Sequence, residues 1–524
     1  MSAVTVRPQP VAGADDRPSR TRPARAWAEA AIAVVAIVFG AVLRVRTRED
    51  LWVDEALSIS IAKLSVGDVL DALRHDGHPP VYYLLLHGWM RVFGEGATAV
   101  RALSTVLSLA TLPLAWSTGK RYGGRQCALA ALVLFAVVPS AVRFGSEARM
   151  YGLVVLLVLG AWAAGRRAWE RPSLPRLSLF ALLTGLLLLT QYWSFYLFFA
   201  TAAVLLGIAL RGSPAARSPA RRLLAALGVG GLCFVPWLPV FLDQLRTTGT
   251  PWGPPARPAQ VLASLLAGGG PSGEAQVLGV GLAVLALLAL LAAGTSGTRI
   301  ELELLTRPAT RFEWALIALT LVLGVVGGYV GGVAFASRYT AVVLPLLILV
   351  AAFGLTVLPH WPWRTAAVAV LVALGLLASL EESLEIRTQA PKVAQIIADQ
   401  SAPGELVVYC PDQLGPGVSR LLPDDRREVT FPDLQPAERV DWVDYLRRIR
   451  ARDPVDFADA VLDRAGDAPV WLVWAGAYRG LGRRCEAVVQ ALEARRPRPT
   501  IVTTPQEEGE SAWVYRFPAA TAGR

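Results

Sequence analysis

Leu51-Trp52-Val53-Asp54-Glu55-Ala56 is the stretch on which the reading of this chain turns. It stands just after the first long apolar segment, near residues 27–43, in a loop that runs from about 44 to 100. Connections of that length in a compact bundle are commonly functional. Asp54 and Glu55 are adjacent, so their side chains are expected to diverge: one can face a reacting centre while the other positions the loop. The plain alternative is a pair of solvated loop acids, or acids paired with Arg44, Arg46 or Arg48.

Composition supports a membrane setting. Of 524 residues, 54% are hydrophobic, and the mean hydropathy is +0.45, which excludes an ordinary soluble chain. A net charge of +10 would suit nucleic acid. The arginines, however, fall in short clusters between long apolar runs, as topology signals do, so no nucleic-acid partner is expected. Four cysteines without C-x-x-C spacing exclude a zinc ribbon or a dense disulfide framework. Cys127 and Cys233 lie in apolar segments. Cys410 and Cys485 lie in the polar tail, where spacing alone leaves both a disulfide and free thiols open.

Spanning helices need about 20 mainly apolar residues. Eleven candidates are read near 27–43, 101–117, 127–142, 151–165, 177–191, 194–210, 223–242, 276–294, 313–333, 340–358 and 365–380. The first runs into Arg44-Val45-Arg46 without a small-residue cleavage site, which favours a retained anchor over a signal peptide. The N-terminal tail and alternate loops hold twenty Lys and Arg residues, whereas the short loops between them hold only Arg143, Arg149, Arg246, Arg257 and Arg338. The N-terminus is therefore expected in the cytoplasm of a multi-pass plasma (inner) membrane protein, with Asp54 and the tail outside. Residues 1–26 read as a disordered basic cytoplasmic tail, 27–380 as the membrane domain and 381–524 as a separate extracytoplasmic domain.

Within the 44–100 loop, Ser65 to Leu73 reads as a short amphipathic helix capped by Ser65, with Asp68 at the capping-box position. Val81 to Phe93 reads as a second, interfacial one; an extra, partly inserted span is the alternative. In the tail, 405–409 and 470–474 read as buried strands, and 392–402, 455–465 and 483–494 show helical periodicity. That alternation predicts a small α/β domain. It has no G-x-G-x-x-G or P-loop signature.

The chemistry follows from the location. Nucleotide-activated sugars are confined to the cytoplasm, so an outward-facing transferase needs a lipid-carried donor. A polyprenyl-phosphate sugar already carries a stable leaving group. What remains is a carboxylate to take the acceptor proton and cations to hold the departing phosphate. Asp54, with Glu55, offers the first; Arg143, Arg149 and Arg338 at the outer helix ends offer the second, since arginine binds phosphate through a planar fork. Snorkelling to lipid headgroups is the competing use of such arginines, and Glu147 is placed to pair with Arg143 or Arg149. His78, stiffened by Pro79 and Pro80, stands ready for phosphate or sugar. With His75 it makes a metal pair conceivable, but no matched third ligand is apparent and no cofactor is expected. Tyr82, Tyr83, Tyr192, Trp193 and Trp252 are candidates for stacking on sugar, and interfacial belts account for such aromatics equally well.

The order Asp54-Glu55, then His78-Pro79-Pro80-Val81-Tyr82-Tyr83, then Ser146-Glu147-Ala148-Arg149-Met150-Tyr151, then Ser337-Arg338-Tyr339 resembles the GT-C glycosyltransferases of the protein O-mannosyltransferase group. It is also similar to the transferase that adds 4-amino-4-deoxy-L-arabinose to lipid A. The resemblance covers about residues 27–380. It implies an α-helical polytopic fold and inverting transfer from a polyprenyl-phosphate monosaccharide, with mannose first and a pentose next. In those families the first acid of the pair is the general base, which falls on Asp54, with Glu55 in support. His78-Pro79-Pro80 matches the His-Pro-Pro of the protein mannosyltransferases, where the lipid A enzyme has a lysine. Tyr82, Tyr151, Tyr192 and Tyr339 are the expected substrate contacts. Leu57 and Ser58 depart from the lipid A enzyme, and no trefoil-like lumenal domain is found. The acceptor thus stays open among glycan, glycolipid and protein. Two other classes stand against the transferase: a transporter or lipid flippase, and an inactive partner in an envelope-assembly complex. Few charges inside the spans and no evident repeat count against the first.

Overall fold

The computed structural model describes residues 21–46, 50–248, 253, 256–266, 270–294, 300–303, 306–332, 334–476, 480–506 and 509–520. Arg48, Trp252 and the tail up to residue 20 lie outside them. Residues 21–26, read from sequence as tail, open the first helix, α1 (Thr21–Val45).

Among the described residues eight helices are long and apolar enough to cross a membrane. One of them, α5 (Ala97–Val137), is 41 residues long, about twice what a bilayer needs. It breaks at Gly123-Gly124, where Gly124 takes a φ of 79°, a conformation that costs glycine nothing. The chain continues through α6 (Pro139–Ser146), α7 (Tyr151–Glu170), α8 (Leu174–Leu188), α9 (Ser194–Arg211), α10 (Pro214–Leu232), α11 (Leu238–Thr247), α12 (Pro258–Leu266) and α13 (Gly273–Leu291). A small hairpin of β1 (Ala292–Gly294) and β2 (Ile300–Leu302) precedes α14 (Arg311–Gly331), α15 (Leu344–Leu355) and α16 (Trp361–Leu384). α8 and α15 are apolar but shorter. Counting them and the two limbs of α5, with α10 and α11 as one span, helices occupy all eleven apolar runs of the sequence. The chain is a multi-pass membrane protein.

The segment between α1 and α5 folds into three short helices, α2 (Val53–Ala62), α3 (Val66–Asp76) and α4 (Val81–Phe93). Ser65 caps α3, accepting the Asp68 N–H. At 13 residues α4 is too short to span. The Asp54 stretch, read as loop, is helical instead. Every residue of α2 from Glu55 to Ala62 is buried. Ile59, Ile61 and Ala62 join the membrane-domain core, whereas Leu57 joins the core of the C-terminal domain. A helix buried on all sides shows no amphipathic period, which hid it from the sequence.

The C-terminal domain is α/β, as read. Its strands are β3 (Leu406–Cys410), β4 (Arg427–Thr430), β5 (Val470–Trp474), β6 (Thr500–Thr503) and β7 (Trp513–Phe517), in sheet order β4-β3-β5-β7-β6. β3 runs parallel to β4 and β5, while β7 runs antiparallel to β5 and β6. Helices α17 (Ala390–Gln400), α18 (Gly415–Ser419), α19 (Tyr445–Ala451), α20 (Pro454–Ala465) and α21 (Arg484–Arg495) accompany it. Separate apolar clusters form on the sheet's two faces, which is why β3 and β5 are continuous apolar runs. A disulfide joins Cys410 at the end of β3 to Cys485 on α21, 75 residues on. Cys485→Ser is expected to destabilise the protein by about 2–5 kcal/mol, read as a lower thermal midpoint of purified protein; an unchanged midpoint would make the bridge incidental.

Candidate active site

α2 carries Asp54 and Glu55 in its first turn, and the two carboxylates point apart. Glu55 is fully buried. It takes Arg101 of α5 in a fork: Nε donates to Oε1 at 2.8 Å and Nη2 to Oε2 at 2.5 Å. The Ala148 N–H adds a third bond, at 2.7 Å to Oε1. Glu55 thus fastens α2 both to α5 and to the turn between α6 and α7. Arg44, a conceivable partner of the acids, is engaged elsewhere; it donates to the carbonyls of Gly40, Phe135 and Ala136 and to the Ser108 hydroxyl.

Asp54 stays one-fifth exposed, with Oδ2 at 3.1 Å from Arg338 Nη2 and 3.9 Å from Arg149 Nη2. Arg149 Nη1 donates to the Asp54 carbonyl at 3.1 Å and to Ser58 Oγ at 2.8 Å. Its Nη2 lies 3.2 Å from His78 Nε2. A guanidinium only donates, so Nε2 accepts, and the partners assign the ring proton to Nδ1, which gives it to Asp76 at 2.8 Å. Asp76, at the end of α3, also accepts from the Tyr83 hydroxyl at 2.9 Å.

Electrostatics fit this chain of contacts. Burial opposes charge on Asp76, but His78, Arg149 and the Tyr83 hydrogen bond hold its carboxyl below the usual range. Burial likewise opposes charge on Arg149 and Arg338. Neighbouring Tyr83 and Asp54 for the one, Asp54 and Tyr151 for the other, outweigh it and raise both above the ordinary arginine value. Next to this centre, the Arg338 and Arg387 guanidiniums lie 5.5 and 5.7 Å from the Trp52 ring, cation–π distances. Arg387 also pairs with Glu147.

Comparison with known proteins follows the same lines. Residues 77–241 match the family model described as dolichyl-phosphate-mannose-protein mannosyltransferase. The match takes in His78 and Arg149 and stops short of Asp54 and Arg338. No curated protein matches the chain. Among solved structures, ArnT from Cupriavidus metallidurans in the apo state is similar at a TM-score of 0.62 and 14% identity, covering 96% of this chain and all of ArnT. The same protein bound to undecaprenyl phosphate gives 0.59 and 14%, covering 97% of this chain and all of ArnT. The resemblance to the protein O-mannosyltransferase and ArnT-like group holds. At that identity the ArnT likeness is one of fold, and it extends through the C-terminal domain, which the sequence motifs left out.

Within this ArnT-like fold the predicted residues separate. Asp54, His78, Arg149 and Arg338 come together, with Tyr151 and Tyr339 in electrostatic reach of Arg338. The Tyr339 ring stacks on Trp193 at 5.3 Å. Arg143 does not join them. It is held by Glu147 at 2.8 Å and Glu382 at 2.7 Å. Tyr82 is buried against Ser104. Tyr192 donates to Gln244 and accepts from the Trp237 indole, so both hydroxyls are engaged within the protein. Sequence reasoning missed Ser58, Asp76, Arg101 and Arg387, none of which carries a motif of its own. His75 pairs with Asp441 and His78 with Asp76, so the two histidines do not converge.

Two outcomes follow from these pairs. Glu55→Gln strips a buried arginine of its counter-charge and is expected to cost about 3–5 kcal/mol, seen as lost yield and a lower thermal midpoint. Burial would raise the Glu147 carboxyl, but Arg143 and Arg387 bring it down to about 2. A depressed carboxyl stabilises the fold above its unfolded value of 4.5, and that contribution, about 3 kcal/mol, is lost as pH falls from there toward 2. Thermal midpoints should therefore drop below about pH 4.5, and the drop should be shallower in Glu147→Gln.

Proposed function

We propose that the chain is an inverting glycosyltransferase that moves a monosaccharide from a polyprenyl-phosphate donor to an acceptor outside the cytoplasm. One arrangement carries the reading: Asp54 ion-paired with Arg149 and Arg338 beside the C-terminal domain. The two guanidiniums hold the carboxylate. A donor phosphate competes for them, since arginine forks bind phosphate in two-pronged fashion, and Asp54 is released to act as base. The acceptor hydroxyl then attacks the anomeric carbon opposite the phosphate. Its proton passes to Asp54, the carbon–oxygen bond to phosphate breaks, and the electron pair leaves with the phosphate. The products are an inverted glycoside and polyprenyl phosphate, whose charge Arg149 and Arg338 meet. His78, held by Asp76, keeps Arg149 aimed. The scheme calls for no cofactor.

The lipid class is supported by the ArnT structure bound to undecaprenyl phosphate. An apolar cavity of about 250 Å³, lined by Leu197, Phe198, Leu205, Leu316 and Leu346, reaches Ser194. That residue follows Trp193, whose ring stacks on Tyr339, next to Arg338. The cavity offers room for part of a prenyl chain. Mannose is the first sugar to test, a pentose the next, and the acceptor is a glycan, glycolipid or protein. The arginine distribution supports an N-terminus in the cytoplasm and Asp54 on the outer side, and the membrane proposed is the plasma (inner) membrane.

The test is transfer from radiolabelled polyprenyl-phosphate sugars in proteoliposomes. Asp54→Asn is expected to lower transfer by about 10²–10⁴-fold with protein yield unchanged, and Arg338→Ala to weaken donor use more than yield. Full activity in Asp54→Asn removes Asp54 as base. No transfer from any such donor, with a solute or lipid crossing the bilayer instead, makes the chain a transporter.

A further inference from the structure

We infer that Glu510, from the C-terminal domain, is a positioning residue for Asp54, so that this domain is part of the transfer machinery and not a separable cap. The inference rests on the proposed role of Asp54 as base.

The first turn of any helix leaves backbone N–H groups without partners, and a side chain at the N-cap position commonly supplies one. α2 lacks that device: its N-cap is Trp52, which makes no capping hydrogen bond. The Val53 N–H is met from 457 residues away, by both oxygens of Glu510, at 3.0 and 3.1 Å. A carboxylate also suits the positive end of the helix. Glu510 is itself held firmly. Its N–H donates to the Arg387 carbonyl at 2.8 Å, its carbonyl accepts the Gln389 N–H at 3.1 Å, and Thr388 pairs beside it in a parallel bridge.

The segment 387–389 that holds Glu510 also grips the residue before Val53. Arg387 lies over the Trp52 ring and pairs with Glu147. Two more ties run from the same domain to the same helix and its approach. Arg420 pairs with Asp50 at 2.7 Å, and Leu57 is buried in the C-terminal core. The Trp52-Val53 peptide, immediately before Asp54, is therefore clamped from the C-terminal domain. Asp54 is the second residue of α2, so the direction of its carboxylate depends on that first turn staying helical. Displacing a reacting group by about 1 Å can lower a rate by about 100-fold.

The experiment uses the full-length protein in proteoliposomes, with Glu510→Ala and Glu510→Gln beside wild type. Glu510→Ala is expected to lower kcat by about 10- to 100-fold, with the KM for donor changed by less than about threefold. Glu510→Gln keeps an acceptor oxygen for Val53 and should recover most of the rate. Hydrogen exchange over residues 51–62 supplies a readout independent of activity: the first turn of α2 should exchange faster in Glu510→Ala, with the rest of the membrane domain unchanged. Wild-type kcat in Glu510→Ala overturns the inference, and so does unchanged exchange over 51–62. If both variants lose yield alike and the surviving protein turns over at the wild-type rate, Glu510 is merely structural. Absence of transfer by wild type overturns the proposed function instead, and the exchange result then still decides whether Glu510 caps α2.

Discussion

The buried fork between Glu55 and Arg101 is the interaction on which the candidate site depends. Both groups are almost wholly withdrawn from water, a costly arrangement unless charge and hydrogen bonds are well matched. Here they are: two guanidinium donors and the Ala148 N–H meet one carboxylate. The result is geometric. α2 is fixed against α5 and against the turn that carries Arg149, so Asp54, the neighbouring residue, faces Arg149 and Arg338.

Asp54 therefore has two sets of supports. The membrane domain supplies Arg101, Arg149, His78 and Arg338. The C-terminal domain supplies Glu510 and Arg387 at the start of α2 and the apolar pocket for Leu57. A helix shared between two cores couples them mechanically. The first turn of α2 is thus held from both sides, by Glu55 in the bundle and by Glu510 from the C-terminal domain.

Much of the fold was legible in the sequence because bilayer thickness imposes a length on apolar runs. Each of the eleven runs holds a helix, although the one read as 276–294 turns into β1 over its last three residues, and the strands 405–409 and 470–474 and the three tail helices appear within a few residues of where they were read. In the candidate site, chemistry and topology together singled out Asp54, His78, Arg149 and Arg338, and the fold brings these four side by side. The rule that found Arg149, an arginine at a helix end near acids, also selected Arg143. Only the fold distinguishes them, because Glu382 sits 239 residues from Arg143 in the chain. α2 was hidden by burial on every side. Glu510 and Arg387 were hidden by distance along the chain, since a carboxylate that caps a helix hundreds of residues away leaves no local pattern.

The most direct test of this account is a cryo-EM structure of the protein with polyprenyl phosphate in lipid nanodiscs. The account predicts the phosphate bound by Arg149 and Arg338, with the ion pairs of Asp54 opened. A phosphate held at Arg143, or one bound elsewhere with both Asp54 pairs intact, would contradict it.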